Sequence, residues 1–188
     1  MAEAAWLTDA PRDELLAAPA VLVRTRLADT DALVEAVNAS LEHLRPWMPW
    51  AQVAATTESI GSFLAAADAS WEARTEFQYL ITEAETRAIL GCCGLHARRG
   101  VGALEIGYWV HVGQVGRGLA SAAAGALTQA ALGLPGVSRV EIHCDAANTA
   151  SAGVPRRLGY RLDRIEDHSP STPGETDAFM IWIHQRTV

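Results

Sequence analysis

Leu-Glu-Ile-Gly-Tyr-Trp-Val-His-Val, residues 104–112, is followed by Gly-Gln-Val-Gly-Arg-Gly-Leu-Ala, residues 113–120, and an alanine-rich segment that runs to Gln129. The first part predicts a strand, the second a glycine-rich loop, and the third a helix. Three glycines in six residues allow successive backbone amides to point into one concavity. The helix N-terminus adds about half a positive charge and four free N–H groups. The stretch therefore predicts an anion site, and a pyrophosphate is its natural occupant.

Two common phosphate-binding loops do not fit these residues. The Walker A loop requires Lys followed by Ser or Thr after its last glycine, where this chain has Leu119 and Ala120. The dinucleotide-binding fingerprint requires a different glycine spacing and an acidic residue about twenty positions later. Nucleotide hydrolysis and nicotinamide chemistry are thus disfavoured.

Composition limits the classes of function. A chain of 188 residues predicts one domain, and its formal charge of −7 argues against binding a nucleic-acid backbone and favours a cationic substrate. Three cysteines, two of them adjacent at Cys92 and Cys93, fit neither a disulfide framework nor a zinc site. The N-terminal residues do not resemble a signal peptide, and no apolar run approaches 18 residues. We expect a cytoplasmic protein that binds no membrane and no metal.

Hydrophobic periodicity predicts a single α/β domain, α+β by some schemes, with about four helices. Its sheet is predicted to be mixed, mostly antiparallel and seven-stranded, with a core over 21–184 and an N-terminal extension over 1–18. The predicted strands are 21–27, 77–82, 88–96, 104–112, 137–144, 160–165 and 178–184. The fourth and fifth strands should be parallel, because a helix connects them.

Two motifs resemble the GNAT superfamily of acetyltransferases. Residues 115–120, Val-Gly-Arg-Gly-Leu-Ala, resemble its acyl-CoA loop, Gln/Arg-x-x-Gly-x-Gly/Ala, and depart from it only at Val115. Asn148 and Ser151, followed by Leu-Gly-Tyr at 158–160, resemble the family's Asn-x-x-Ser and Leu-Gly-Phe/Tyr elements. The string Glu-Ile-Gly-Tyr-Trp-Val at 105–110 is similar to the RimJ/RimL branch of protein N-terminal acetyltransferases, and the resemblance extends from Val21 to Ile183.

The resemblance implies an acetyl-CoA-dependent N-acetyltransferase in which a primary amine attacks the thioester directly. It also implies a splay between the fourth and fifth strands, where the thioester arm inserts. The residues implied in acetyl-CoA binding are Val110, His111, Val112, Val115, Gly116, Arg117, Gly118, Leu119, Ala120, Ser121, Asn148 and Ser151.

Two catalytic residues are implied. Strand alternation places Glu105, Gly107 and Trp109 on one face. In the related branch the Glu is proposed to deprotonate the amine through water; alternatively, Glu105 lies at an exposed strand start. Many GNAT enzymes protonate the thiolate with a tyrosine, but that position here is Pro155, so Ser151 is the substitute; alternatively, it is an ordinary first-turn serine.

Other residues have less specific expectations. Pro155 is predicted to kink or delay its helix. Arg98 and Arg99 are predicted to be solvated loop charges or, alternatively, to bind the nucleotide 3′-phosphate. His143 is predicted to be a hydrogen-bonded core histidine.

The aromatic segment Arg-Pro-Trp-Met-Pro-Trp, residues 45–50, has two interpretations. Trp47 and Trp50 either fill the core between two helices or, with Trp109 and Glu105, form the acceptor site. The RimJ/RimL branch has a similar Arg-Pro-Trp-x-x-Trp segment at the acceptor site.

The acceptor stays open at this stage. A protein or peptide N-terminal α-amine, with a pKa of about 7.7 to 8.0, needs less base catalysis than a lysine at about 10.4. A small cationic amine such as an aminoglycoside would instead make the protein an antibiotic-resistance enzyme. A third hypothesis, supported by Val115 and Pro155, is a catalytically decayed acyl-CoA sensor module. A homodimer formed through the last strands is a further expectation from the resemblance.

Overall fold

The computed structural model describes residues 6–186, which form one open sheet of eight strands flanked by four α-helices. The strands are β1 Glu14–Ala17, β2 Ala20–Arg24, β3 Glu76–Glu83, β4 Ile89–His96, β5 Ala103–Val110, β6 Arg139–Asp145, β7 Arg161–Asp167 and β8 Ala178–Gln185. The α-helices are α1 Thr30–Leu44, α2 Thr57–Glu72, α3 Leu119–Gly133 and α4 Thr149–Arg157. Short 3-10 turns occupy Leu27–Asp29, Pro49–Gln52 and Val112–Gln114.

The strand order is β1-β2-β3-β4-β5-β6-β8-β7. All neighbouring strands are antiparallel except β5 and β6, which are parallel because α3 crosses over between them. The predicted fold class and the parallel pair are confirmed.

The parallel pair separates half-way along its length. Ala103–Ile106 pairs with Arg139–Ile142, but β5 continues to Val110 without pairing to β6. This is the splay predicted between these two strands. It opens the sheet at Gly107, the first residue of β5 after the last pair.

The predicted strand count of seven is wrong, because β1 adds an eighth strand. Glu14–Ala17 pairs antiparallel with β2 through a tight turn at Ala18 and Pro19. Its residues, Glu-Leu-Leu-Ala, do not alternate between polar and apolar, so hydrophobic periodicity did not predict this strand. Leu7 is also buried in the core, so the described part of the predicted 1–18 extension is integrated into the domain.

The helices cover opposite faces of the sheet. Helix α3 presents small buried residues, including Ala123 and Ala124, to the face that carries Leu104 and Ile106. Helices α1 and α2 pack on the face that carries Leu80 and Trp109. Because side chains alternate along β5, Glu105 and Gly107 share the second face with Trp109.

The far edge of the sheet is β7, whose side chains are mostly exposed and charged. Charged edge strands disfavour uncontrolled pairing with other sheets. The homodimer contact expected through the last strands stays a prediction. No helix among residues 6–186 combines the length and the hydropathy needed to cross a bilayer.

Candidate active site

A row of ionisable side chains crosses the sheet beside the splay. The strand registers place Glu76 opposite His96, His96 opposite Glu105, and Glu105 opposite Glu141. Residues directly opposite one another in a sheet project from the same face. Four strands therefore bring three carboxylates and one imidazole into a single row on the face that carries α1 and α2.

Glu105 is buried and binds two arginines of the β4–β5 turn. Its Oε2 accepts from Arg98 Nε at 3.0 Å and its Oε1 from Arg98 Nη2 at 2.5 Å, and Arg99 Nε also donates to Oε2. Burial alone would raise the pKa of Glu105, but Arg98, His143 and Arg99 lower this pKa to about 2. Both arginines are exposed loop residues, as expected, but they are paired with a buried carboxylate, which the sequence did not predict.

The role of Glu105 as the base stays a prediction, but its environment does not favour it. General bases work best when their pKa lies near the operating pH. Glu105 has a pKa of about 2, and both of its oxygens already accept hydrogen bonds from guanidinium groups. This carboxylate is suited to holding the β4–β5 turn against the sheet.

The next carboxylate in the row, Glu141, is also paired with basic side chains. It accepts hydrogen bonds from Arg139 Nε at 2.6 Å and shares a 2.6 Å contact with His143 Nε2. Burial lowers the pKa of His143, while the bond to Glu141 opposes that shift. The prediction that His143 is a buried, hydrogen-bonded histidine is confirmed.

The glycine-rich loop connects β5 to α3 and has two glycines in the left-handed region. The Val112 amide donates to the buried Ser40 hydroxyl of α1 at 3.1 Å, which fixes the start of the loop. Gly116 and Gly118 have φ of +78° and +77°, and a Cβ added to either would meet no atom within 4 Å. Gly118 caps α3 without a side-chain hydrogen bond, so the first-turn amides of α3 keep their hydrogens free for a ligand.

Side chains around the loop hold its shape. His111 Nδ1 accepts from the Gly113 amide at 3.0 Å, and Arg117 donates to Gln114. Ser121 accepts from Arg157 Nε of α4 at 3.0 Å, which ties the loop helix to the segment after β6. Val115, the departure from the family pattern, is half exposed. The assignment of the residues from Val110 to Ser121 to acetyl-CoA binding stays a prediction.

Asn148 and Ser151 lie across the splay from Tyr108. The Asn148 side chain caps α4 by accepting from the Ser151 amide at 3.0 Å. Tyr108 Oη lies 3.1 Å from Ser151 Oγ and donates to the Ser151 carbonyl at 3.2 Å. Tyr108 was not among the residues predicted from sequence, and it orients the predicted acid.

Pro155 explains why this carbonyl is available. In an α-helix the Ser151 carbonyl would accept from the N–H of residue 155, and proline has none. Helix α4 nevertheless begins at Thr149 and includes Pro155, so the predicted late start is wrong. The Tyr108 hydroxyl supplies the missing donor.

A cleft of about 880 Å³ lies between α1, α2 and strands β3 to β5. Trp50 and Trp109 form part of its wall, with ring centroids 6.2 Å apart and planes tilted by 56°. Trp47 is half-buried and is not among the described residues that line the cleft. The structure therefore brings Trp50 and Trp109 together in the predicted acceptor site and leaves Trp47 outside its lining.

The β7–β8 loop closes one side of the domain by binding the segment before Trp47. Buried Asp145 accepts hydrogen bonds from the amide and hydroxyl of Thr176. Further along the loop, Thr172 Oγ1 and the Gly174 amide donate to the Pro46 carbonyl at 2.6 and 2.9 Å. The loop thus connects the end of β6 to the aromatic segment next to the cleft.

We expect Gly174→Ala to raise KM for the acceptor about five- to tenfold without changing acetyl-CoA affinity. An added Cβ would lie 2.5 Å from the Pro46 carbonyl oxygen, so the loop would have to move away. Steady-state kinetics with calorimetric titration of acetyl-CoA tests this. Gly133→Ala is the matched control, because a Cβ there meets nothing within 4 Å. Equal KM values for the two variants would contradict the prediction.

Comparison with known proteins identifies the family. The model described as Acetyltransferase (GNAT) domain matches residues 20–161. The chain belongs to the GNAT acetyltransferase family. It is therefore an acetyl-CoA-dependent acetyltransferase. A separate comparison with curated protein sequences found no significant match.

Solved structures support the fold of this GNAT enzyme. The microcin C7 self-immunity acetyltransferase MccE, solved with acetyl-CoA and AMP, is 18% identical over 93% of this chain and 94% of its own, with a TM-score of 0.81. The ribosomal L7/L12 α-N-protein acetyltransferase RimL, solved with coenzyme A, is 21% identical over 88% and 93%, with a TM-score of 0.79. Mycobacterium smegmatis RimJ is 20% identical over 94% and 87%, with a TM-score of 0.80.

The loop of this GNAT enzyme fits acetyl-CoA. Two glycines in the left-handed region and the uncapped start of α3 provide amides for a pyrophosphate. No group of three His, Cys, Asp or Glu side chains within residues 6–186 is placed to hold a metal ion.

Proposed function

We propose that this GNAT enzyme acetylates the free α-amine of a peptide or protein N-terminus. The observation that carries the proposal is the character of the cleft beside the splay. Its wall includes Trp50, Phe63, Ile60 and Val53, and Glu76 is the one acid among the described residues that line it. A chain terminus places a single positive charge next to a side chain of variable polarity, which suits one carboxylate in an apolar cleft.

An aminoglycoside fits this cleft less well. Such compounds carry several ammonium groups, and each needs an acceptor or a carboxylate when it leaves water. The cleft offers Glu76 and also contains Arg98, which would repel a polycation. RimL, a ribosomal L7/L12 α-N-protein acetyltransferase, has the same fold and lends further support.

The residues at the splay have separate roles in binding acetyl-CoA and in supplying a proton. Acetyl-CoA, when bound, supplies the acetyl group as a thioester, and Gly118 with the first turn of α3 would hold its pyrophosphate. We propose that Ser151 Oγ holds the proton that the departing sulfur needs. Burial raises the pKa of Tyr108, so its hydroxyl stays protonated and orients Ser151.

The second candidate acceptor is a small-molecule amine that also carries a flat ring. The specific observation is the tilted pair of Trp50 and Trp109, which exposes aromatic surface to the cleft. MccE, solved with AMP, is a structural neighbour that binds a molecule with such a ring. A ring held against tryptophan would gain about 0.5–1.5 kcal/mol beyond its area burial.

A thiol-release assay with acetyl-CoA tests the proposal. The panel holds Ala- and Ser-starting peptides, N-blocked lysine peptides, aminoglycosides, polyamines and aminoacyl-adenylate analogues. We expect turnover with peptides that have a free α-amine, and Trp50→Ala should raise their KM about tenfold, more than Trp47→Ala does. Turnover confined to the ring-bearing amines would favour the second candidate. Tight acetyl-CoA binding without turnover of any amine would favour the decayed sensor.

A further inference from the structure

We propose that His96 is the base that takes the proton from the acceptor ammonium, with Glu76 as the residue that positions its ring. The inference rests on the proposed acetyl transfer to an amine and adds a catalytic residue to that site. His96 was not among the residues predicted from the sequence.

The position of His96 is the first reason. It is the last residue of β4 and lies in the row between Glu76 and Glu105. Its Nε2 projects over Gly107, where an added Cβ would come within 3.4 Å of that nitrogen. Gly107 is the first residue of β5 beyond its pairing with β6, so the imidazole lies at the mouth of the splay. A glycine at this point leaves room for the ring and for a nitrogen nucleophile beside it.

The surroundings of the ring give the second reason. The His96 side chain is 12% exposed, and its Nδ1 lies 3.2 Å from Glu76 Oε1. The N–H does not point along this line closely enough for a hydrogen bond, so Nδ1 is a buried donor without an aligned acceptor. A small rotation of the exposed Glu76 carboxylate would align the two atoms. With the Nδ1 proton directed toward Glu76, the Nε2 lone pair faces the cleft.

Glu76 is charged when it faces His96. The interaction with His96 is the main reason that the pKa of Glu76 lies below its ordinary range, and burial opposes this shift. A carboxylate at this place stabilises the imidazolium that forms when Nε2 takes a proton. His96 and Glu76 both line the cleft, whereas Glu105 is engaged by Arg98 and Arg99.

The protons balance with one base and one acid. An ammonium nitrogen must lose one proton before its lone pair can attack, and that proton goes to His96 Nε2. As the C–N bond forms and the C–S bond breaks, the departing sulfur takes a proton from Ser151 Oγ, and the second proton of the nitrogen returns to Ser151 Oγ, so the serine ends unchanged. The net products are the amide, the free thiol and one proton, which His96 passes to solvent.

The test compares two alanine variants at saturating acetyl-CoA. Loss of a positioned base costs about 10²- to 10⁴-fold in rate. We expect His96→Ala to lower kcat at least 100-fold for a peptide α-amine, with the dissociation constant of acetyl-CoA within twofold of wild type. Added imidazole should restore part of kcat, because the truncation leaves a cavity of that shape. His43→Ala is the matched control, because His43 is exposed on α1.

Glu76→Gln provides a second measurement, which distinguishes a residue that positions the His96 ring from one that only stabilises the fold. It keeps the side-chain shape and removes the charge, so kcat should fall about tenfold, and KM for the amine should rise as well, because Glu76 is also the one carboxylate among the described residues that line the cleft. Ring ¹⁵N shifts should show that the Nδ1–H form of His96 predominates in the wild type and loses population in Glu76→Gln.

The outcomes separate this inference from the proposed function. If wild type acetylates peptides and His96→Ala retains kcat within threefold, His96 is not the base and the proposed function stands. A loss of kcat that imidazole cannot restore at any concentration, with unchanged ring ¹⁵N shifts in Glu76→Gln, would also overturn the inference. If wild type acetylates no amine, the proposed function fails and this inference fails with it.

Discussion

Gly118→Val is expected to weaken acetyl-CoA binding about 30-fold. Gly118 has a φ of +77° and caps α3, and a β-branched residue is a steric outlier in that region. The strain costs about 1–3 kcal/mol, and the chain relieves it by rotating the cap. That rotation would turn the first amides of α3 away from the concavity, and a loss of about 2 kcal/mol corresponds to about 30-fold in affinity. Isothermal titration with acetyl-CoA measures the change.

Gly159→Val is the control for this prediction. Gly159 has a φ of +74°, and a Cβ there also meets nothing within 4 Å, but it lies in the turn between α4 and β7. The two variants should lose similar amounts of thermal stability, and only Gly118→Val should lose affinity for acetyl-CoA. Equal affinities in the two variants would show that the α3 cap does not hold the pyrophosphate.

Glu105→Gln is expected to lower the free energy of unfolding at pH 7 by about 3 kcal/mol. The difference between the ordinary pKa of 4.5 and the folded value of about 2 corresponds to this amount. Because the folded pKa is the lower one, the stabilisation is fully present above pH 4.5 and is lost as the pH falls towards 2. The wild type should therefore lose about 3 kcal/mol more than the variant over this window, which denaturant unfolding at several pH values would measure.

The comparison variant is Glu14→Gln. Glu14 pairs with Arg87 at 3.2 Å, and both side chains are about half exposed, so the exposed pair should contribute at most about 1 kcal/mol. If Glu105→Gln behaves like Glu14→Gln at every pH, Arg98 and Arg99 do not hold the buried carboxylate as the structure shows.

Local sequence patterns were enough to predict the glycine-rich loop and the helix that follows it. Gly118 and the alanine-rich segment after it encode a positive-φ cap and a helix N-terminus within a few residues. Asn148 and Ser151 lie one helical turn apart, so the cap that joins them was also readable from spacing. The sequence likewise predicted the parallel pair, because a helix connects the two strands, whereas the splay was predicted from the resemblance to the GNAT family.

Only the tertiary structure decided which ionisable groups meet. Glu76, His96, Glu105 and Glu141 lie on four different strands, and their row depends on strand registers that hydrophobic alternation does not specify to the residue. Once they meet, the partners of each side chain determine its environment. Arg98 and Arg99 keep Glu105 ionised, and the His96 ring is left facing the cleft.

The same limit applies to Pro155. From the sequence, Pro155 was interpreted as a helix breaker and as support for catalytic decay. The sequence shows that proline has no N–H to donate, but it does not show which other group donates instead. The fold places the Tyr108 hydroxyl, from a strand far away in the chain, at the carbonyl that the proline leaves free. The sequence thus determined the family and the glycine-rich loop, which depend on neighbouring residues. The fold decided which polar side chains meet, because a side chain's partner and its dielectric surroundings arise from long-range packing.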